Sequence, residues 1–517
     1  MTNLYLSSEL TESRVRTMNN CPINQDGEFI LYWMTSCRRF AFNASLQHAV
    51  TLSNQLKKPV LVVEAVSITH KFANDRILSF MVQGIMDNID DFKEHSVSYM
   101  PWVEIKQKAG GKMLRSLSKK SVCVIIDDYP TYTPSKIRDA AGRNLQVRVD
   151  AVDSNGIFPM NWAEKEFTTA YSFRKYVQKN ILDAFHTIPE KNPTQYREGD
   201  LKVSEEIIAN LKNDLGFEST PLEWLWRVAE GGTVGNQAME EFPIDHTVPA
   251  VITSKGGVNE ARIRLQKFLN YRLNKYSTDR NNPDKPAVSG LSPWLHFGHI
   301  SSYEIIQNVL SKENWSPDSL NHEDTGKGTR SGWWGVSESA SSFLDQIITW
   351  RELGFNFAYN REDHATVETI PNWAKLSMKE HLNDDRIIYS LEELERAETH
   401  DEIWNAAQRE LLRTGQMHNY MRMLWGKKIL EWSPSPEIAA ENMIYINDKW
   451  ALDGRDPNSY TGIFWVLGRH DRAWGPERPI FGKVRYMSSE SAYRKLKLKN
   501  YLQKYAKDEN ITLAKFG

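Results

Sequence analysis

The stretch 28-EFILYWMTSCRRFAFNASLQHAVTLSNQLKKPVLVVEAV-66 decides the fold. It opens and closes on short apolar runs, EFILYWM (28–34) and PVLVVEAV (59–66), rich in β-branched and aromatic residues. Such runs predict buried strands. Between them, FAFNASLQHAVTLSNQL (40–56) has helical apolar spacing. Strand, helix and strand in that order predict a parallel sheet with helices on both faces.

The alternation continues outward. FANDRILSFMVQGIMDNIDDF (72–92) predicts a second helix, and SVCVIIDD (121–128) and LQVRVDAV (145–152) predict further strands. SVSYMPWVEI (96–105) is a weaker one. Together they predict a Rossmann-like α/β domain over residues 22–155. No GxGxxG follows the first strand, so a dinucleotide site of the usual kind is not supported. Residues 156–255 mix helical and turn-rich pieces and read as a linker that wraps the surface.

From residue 256 to 517 the apolar spacing is helical, as in ARIRLQKFLNYRLNKY, SFLDQIITWRELGFNFAYN, EIWNAAQRELLRTG and QMHNYMRMLWGKKILEW. Gly415 ends one helix and Ser433-Pro434 the next. This half is predicted to be all-α. Residues 311–340 are polar and rich in glycine and serine, and read as an insertion loop. Within it TGKGTRSG faintly resembles a phosphate loop, yet it lacks GxxxxGK[ST] and a preceding strand.

With 517 residues, 40% hydrophobic and 25% charged, the chain is an ordinary globular composition with room for two or three domains. It has no run of eighteen apolar residues, so a membrane span is not expected. MTNLYLSSELTESRVR lacks the apolar core of a secretory signal. Cys21, Cys37 and Cys123 are few, odd in number and far apart, which fits a reducing cytoplasm rather than a disulfide framework or a cysteine metal site. The net charge of -2 announces no nucleic-acid partner. From Val466 to Lys507, however, eleven Lys/Arg face three Asp/Glu, a local excess of +8. That is a solvated helix or an electrostatic footprint. Twelve of the seventeen tryptophans follow residue 290.

Charges and tryptophans are densest in ALDGRDPNSYTGIFWVLGRHDRAW (451–474). Arg351, Glu352 and Arg422 sit at apolar addresses within helices, and buried charges need partners or a ligand. Asp453 and Asp456 are candidate partners for Arg422, as a structural ion pair or as part of a site. Trp425 and Trp432, seven apart, share a helix face about 10 Å apart, and Trp404 lies on the preceding helix. They form a packing seam or a chain of oxidisable aromatics. His296 and His299 lack further ligands and read as structural histidines. Ser289, Gly290 and Ser292 precede a helix, as caps or as a phosphate seat to which Arg272, Lys275 and Tyr276 add donors.

FLNYRLNKYS, SGLSPWLHFG, WREL, GQMHNYMRMLW, RPIFGKVRYM and above all NDKWALDGRDPNSYTGIFW resemble the class II cyclobutane pyrimidine dimer photolyases of the photolyase/cryptochrome superfamily. RRFAFNASLQHA and WAEKEFTTAYSFRKYV are similar to that family's N-terminal half. The resemblance implies an α/β antenna domain followed by an all-helical domain that binds FAD. It implies light-driven repair, in which excited reduced FAD donates an electron to a dimer flipped out of double-stranded DNA. A deazaflavin-type antenna is implied without an assignable pocket. By the same resemblance, Tyr276, Ser289, Leu291 and Ser292 contact the FAD phosphates and ribityl chain. Arg422 and Asp453 pair beside the flavin ring, with Asp456 nearby, and Asn447, or else Asn458, faces its N5. Glu352 hydrogen-bonds the dimer carbonyls, and burial would favour its protonated form. Met423 and Trp465 line the dimer pocket. Trp425, Trp404 and Trp432 relay electrons from flavin to surface, in that order. Arg472, Trp474, Lys483 and Arg485 contact DNA, with Arg478 continuing the basic surface. The resemblance leaves a cryptochrome-like receptor without repair activity as the alternative. It also implies a monomer in the cytoplasm, nucleoid-associated in a bacterium or archaeon.

Overall fold

A computed structural model describes residues 12–507 except Ile105 and Gln107. The reading of the first residues as lacking a secretory signal falls mostly outside these described residues, as does the closing segment from Asp508 onward. The chain forms two compact units. The first comprises residues 1–164, 180–265 and 291–317, and the second 165–179, 266–290 and 318–517.

The first unit is built on a six-stranded sheet. Its strands are β1 (Val15–Thr17), β2 (Phe29–Met34), β3 (Val60–Val66), β4 (Ser98–Val103), β5 (Ser121–Asp127) and β6 (Val149–Val152). They lie in the order β1-β6-β5-β2-β3-β4, all parallel except the edge strand β1. The crossovers are α1 (Ala44–Leu56), α2 (Asp75–Glu94), α3 (Ala109–Ser118) and α4 (Tyr132–Asn144). Alternate residues of β2 feed two cores. Phe29, Leu31 and Trp33 join Leu117, Leu211 and Phe217, whereas Ile30, Tyr32 and Met34 join Leu46, Val50 and Phe92. Burial on both faces is why these strands are unbroken apolar runs.

Two differences from the sequence reading have simple causes. β6 is shorter than the run 145–152, because Leu145 still caps the end of α4. β1 has only three residues, too few for a period-2 signal. The turn after β2 explains the missing phosphate motif. The N–H groups of Thr35, Ser36 and Cys37 all donate to one oxygen of Asp127, at 2.8, 2.8 and 3.0 Å. The chain closes this anion nest with its own carboxylate. Burial there pushes the Cys37 thiol up to about 12.

His299 accepts the Gly257 N–H at 3.0 Å and stacks on Phe80, and His296 lies 3.3 Å from the Tyr129 hydroxyl. Among the described residues no cluster of His, Cys, Asp or Glu could hold a metal. No helix among them is long and apolar enough to cross a membrane.

The second unit is helical, and no named strand falls in it among the described residues. Five helices position the site: α5 (Arg351–Asn360), α6 (Glu402–Thr414), α7 (Asn419–Glu431), α8 (Pro436–Trp450) and α9 (Pro457–Val466). A π-helical turn, Asp345–Trp350, leads directly into α5. In the 318–340 portion of the predicted insertion, Trp333 and Trp334 are buried. Within TGKGTRSG, the Gly328 N–H donates to the Gln178 side chain at 2.7 Å, so this turn is bound internally rather than shaped for a phosphate.

Candidate functional site

The DGRD turn joins α8 to α9 and assigns each charge a different task. Arg455 is buried at positive φ, and its guanidinium donates to the carbonyls of Asp448, Ala451 and Leu452. A cation there satisfies the open carbonyls at the end of α8. Asp456 is the N-cap of α9, accepting the Asn458 N–H at 2.8 Å and its side-chain N–H at 3.0 Å. That cap accounts for Asp456, while the partner of Arg422 is Asp453, at 3.0 Å. Gly454 permits the turn, since a Cβ would lie 2.5 Å from the Asn447 carbonyl oxygen.

Arg422 also reaches the Asn447 side-chain oxygen at 3.4 Å. Asn447 is 4% exposed, and its amide nitrogen makes no well-formed hydrogen bond within the protein, only a loose approach to the Asp448 carboxylate. A buried donor without an acceptor costs about 1–3 kcal/mol unless a ligand supplies one. An orphan amide N–H beside an Arg–Asp pair fits the edge of a flavin ring, which offers nitrogen and oxygen acceptors.

Glu352 is 3% exposed on α5, which packs against α9. Gly354 allows that approach, because a Cβ there would meet the Asn458 side-chain oxygen at 2.7 Å. Tyr176, which the sequence did not single out, is a neighbour of Glu352. Burial, then the Glu352 charge, pushes its phenol up to about 12.

Trp465 ends α9 among cations. The Lys427 amine is 5.2 Å from its ring centre and Arg485 5.4 Å. Lys427 is wholly buried, donates to the Val466 carbonyl, and is pushed down to about 7 by desolvation. Arg485 also lies 4.2 Å over Trp474 and pairs with Asp471 at 3.0 Å. Asp471 accepts the Trp474 indole N–H at 3.1 Å, and Arg472 lies 4.9 Å over Trp474. Arg472 and Lys483 are exposed, Lys483 pairing with Glu477 at 3.0 Å, and Met423 is half-buried on α7.

Trp404 touches both of the other tryptophans of the predicted relay. The Trp404 indole N–H donates to the Trp425 carbonyl at 3.0 Å, and the Trp404 and Trp432 rings lie 5.5 Å apart. Trp432, expected at the surface, is 2% exposed. Tyr389 and His400 lie 5.3 and 5.4 Å from it, stacked on each other with hydroxyl and ring nitrogen 2.7 Å apart.

Tyr276 is buried between Phe268 and Phe343, and Ser289 is half-buried. The helix that begins within SGLSPW runs Ser292–His296 with Leu291 at its N-cap and no side-chain cap bond, so neither serine caps it. Leu291 and Ser292 belong to the first unit, Tyr276 and Ser289 to the second.

No protein-family model matches the chain. Over 495 residues it is 31% identical to a deoxyribodipyrimidine photo-lyase of Methanothermobacter thermautotrophicus, covering 95% of this chain and 97% of that one. It is 31% identical over 497 residues to a protein of the same name from Arabidopsis thaliana, covering 93% and 89%. Among solved structures, a cryptochrome of Synechocystis superposes with a TM-score of 0.63 at 16% identity, over 92% of this chain and 88% of that one, a likeness of fold.

Proposed function

The chain belongs to the photolyase/cryptochrome superfamily, among its deoxyribodipyrimidine photo-lyases, and from that premise we propose that it is a class II enzyme that repairs cyclobutane pyrimidine dimers in DNA under blue light. The observation that carries the reading is the orphan Asn447 amide beside the Arg422–Asp453 pair. These three side chains would hold FAD at its ring, and Tyr276 and Ser289 its phosphates and ribityl chain. When bound and reduced, FAD supplies the electron that opens the dimer.

The other residues take roles around that electron. The dimer is flipped out of the duplex, which is easier for a poorly stacked lesion. Met423 and Trp465 line its pocket, with Lys427 and Arg485 steadying the Trp465 ring. Glu352, in its protonated form, donates a hydrogen bond to the dimer carbonyls where negative charge develops. Arg472, Trp474, Lys483 and Arg485 engage the DNA, phosphate contacts fixing position while the flipped pair supplies specificity. Trp425, Trp404 and Trp432 refill the flavin with electrons after oxidation. A deazaflavin-type antenna would belong to the first unit. The enzyme would act as a monomer, on DNA in the cytoplasm.

A receptor without repair activity is the second reading, since a cryptochrome shares the fold. Buried Glu352 and the cation-flanked Trp465 favour repair. The deciding experiment incubates the chemically reduced protein with a thymine-dimer oligonucleotide under anaerobic conditions. Loss of dimers in light but not in the dark supports repair. A flavin spectrum without dimer loss favours the receptor.

A further inference from the structure

The inner indole N–H groups of the tryptophan chain meet acceptors that cannot take a proton. The Trp425 N–H points at the Gln408 side-chain oxygen, 2.8 Å away, and the Trp404 N–H at the Trp425 carbonyl, 3.0 Å away. Gln408 is fully buried, and its nitrogen donates to the Glu395 carbonyl at 3.1 Å. That second bond fixes which end of the amide faces Trp425. The nearby carboxylates of the same helix are engaged elsewhere. Glu402 pairs with Arg409, and Glu410 accepts the His418 N–H at 3.0 Å and the Tyr501 hydroxyl at 2.7 Å.

An indole that loses an electron becomes far more acidic than the neutral ring. A base at its N–H would take the proton and leave a neutral radical, which cannot be refilled by electron transfer alone. A neutral amide oxygen accepts the hydrogen bond and stabilises the positive charge without removing the proton.

We propose that Gln408 is a positioning residue of the relay: it holds the Trp425 indole proton in place while an electron leaves, so that oxidation passes outward to Trp404. This rests on the relay reading above. Trp425 gives one electron to photoexcited oxidised flavin and becomes a protonated radical cation. Trp404 then gives one electron to Trp425, which is restored. One positive charge moves from Trp425 to Trp404, and neither N–H bond breaks.

The test is flash photolysis of the flavin-loaded protein in a Trp404→Phe background, which confines oxidation to Trp425. With Gln408 present, the expected transient is the protonated radical, with decay unchanged in heavy water. In Gln408→Glu, at a pH where the infrared carboxylate band shows the introduced side chain ionised, the expected transient is the neutral radical. Its decay should slow in heavy water and lengthen on the order of tenfold, equivalent to about 1.4 kcal/mol. Gln408→Leu, which supplies no base, should keep the protonated radical. A neutral radical with Gln408 intact overturns the proposal, and so does a protonated radical beside the ionised carboxylate of Gln408→Glu.

A dark measurement tests the contact itself. The ¹⁵N indole resonance of Trp425 should shift in Gln408→Leu, and an unshifted resonance denies the hydrogen bond. Trp425→Phe separates the two readings. If it leaves the flash signal unchanged, the relay reading fails. If it abolishes the signal while Gln408→Glu still gives only the protonated radical, the Gln408 proposal alone fails.

Discussion

Arg455 and Asp448 are joined twice: the Arg455 N–H donates to the Asp448 carboxylate at 2.8 Å, and the guanidinium donates to the Asp448 carbonyl. The Tyr460 hydroxyl also donates to the carboxylate, at 3.2 Å. This knot sets the turn that presents Asp453 to Arg422.

Arg455→Met therefore should weaken flavin retention although Arg455 does not face the proposed ring site. It leaves the α8 carbonyls short of donors and takes a positive charge from beside the buried Asp448 carboxylate, at a cost of about 3–5 kcal/mol. Denaturant unfolding and flavin occupancy after gel filtration check this. Full occupancy at unchanged stability would show that the turn holds without the arginine.

Glu352→Gln and Glu352→Ala should retain flavin and lose repair. The alanine variant should fall on the order of tenfold or more in repair quantum yield, and the glutamine variant, still a donor, by less. An alanine variant with the parental yield removes Glu352 from its assigned place.

Trp425→Phe should block photoreduction of oxidised flavin yet leave repair intact once the flavin is reduced chemically. Normal photoreduction in this variant would end the relay reading.

Lys427 gives a pH prediction. Its amine is pushed down to about 7 in the folded protein from the ordinary 10.5. Between those values the unfolded chain binds more protons than the folded one, so stability rises with pH across that window and is lost as pH falls through about 7. The residue should contribute a slope of about 1.4 kcal/mol per pH unit within the window. Lys427→Met should flatten the curve between about pH 7.5 and 9 relative to the parent, by roughly that slope. Parallel unfolding curves would show that the amine stays charged at neutral pH.

The strands β2, β3 and β5 were legible to within a residue because burial on both faces makes them continuous apolar words. The Arg422–Asp453 pair was legible from charges at apolar addresses. Other parts of the candidate site left no such mark. Lys427 stands in a Lys-Lys pair late in a helix, where lysine ordinarily reaches solvent. Gln408 is one amide in a helix of mixed polarity, and only the fold turns it toward Trp425. Tyr389 and His400 sit in a polar connection, so their place over Trp432 is a property of tertiary packing. Arg455 stands in the same dense charge cluster, yet its guanidinium donates to the carbonyls of the turn it closes.

The Asp127 carboxylate beneath the turn after β2 has a consequence for selectivity. Nucleotides are abundant in any cell, and three converging N–H groups at the end of a parallel strand are what a phosphate seeks. Here the lodging is already taken by a tenant that the chain cannot lose. The turn after β2 therefore has none of these three N–H groups left to offer an outside anion.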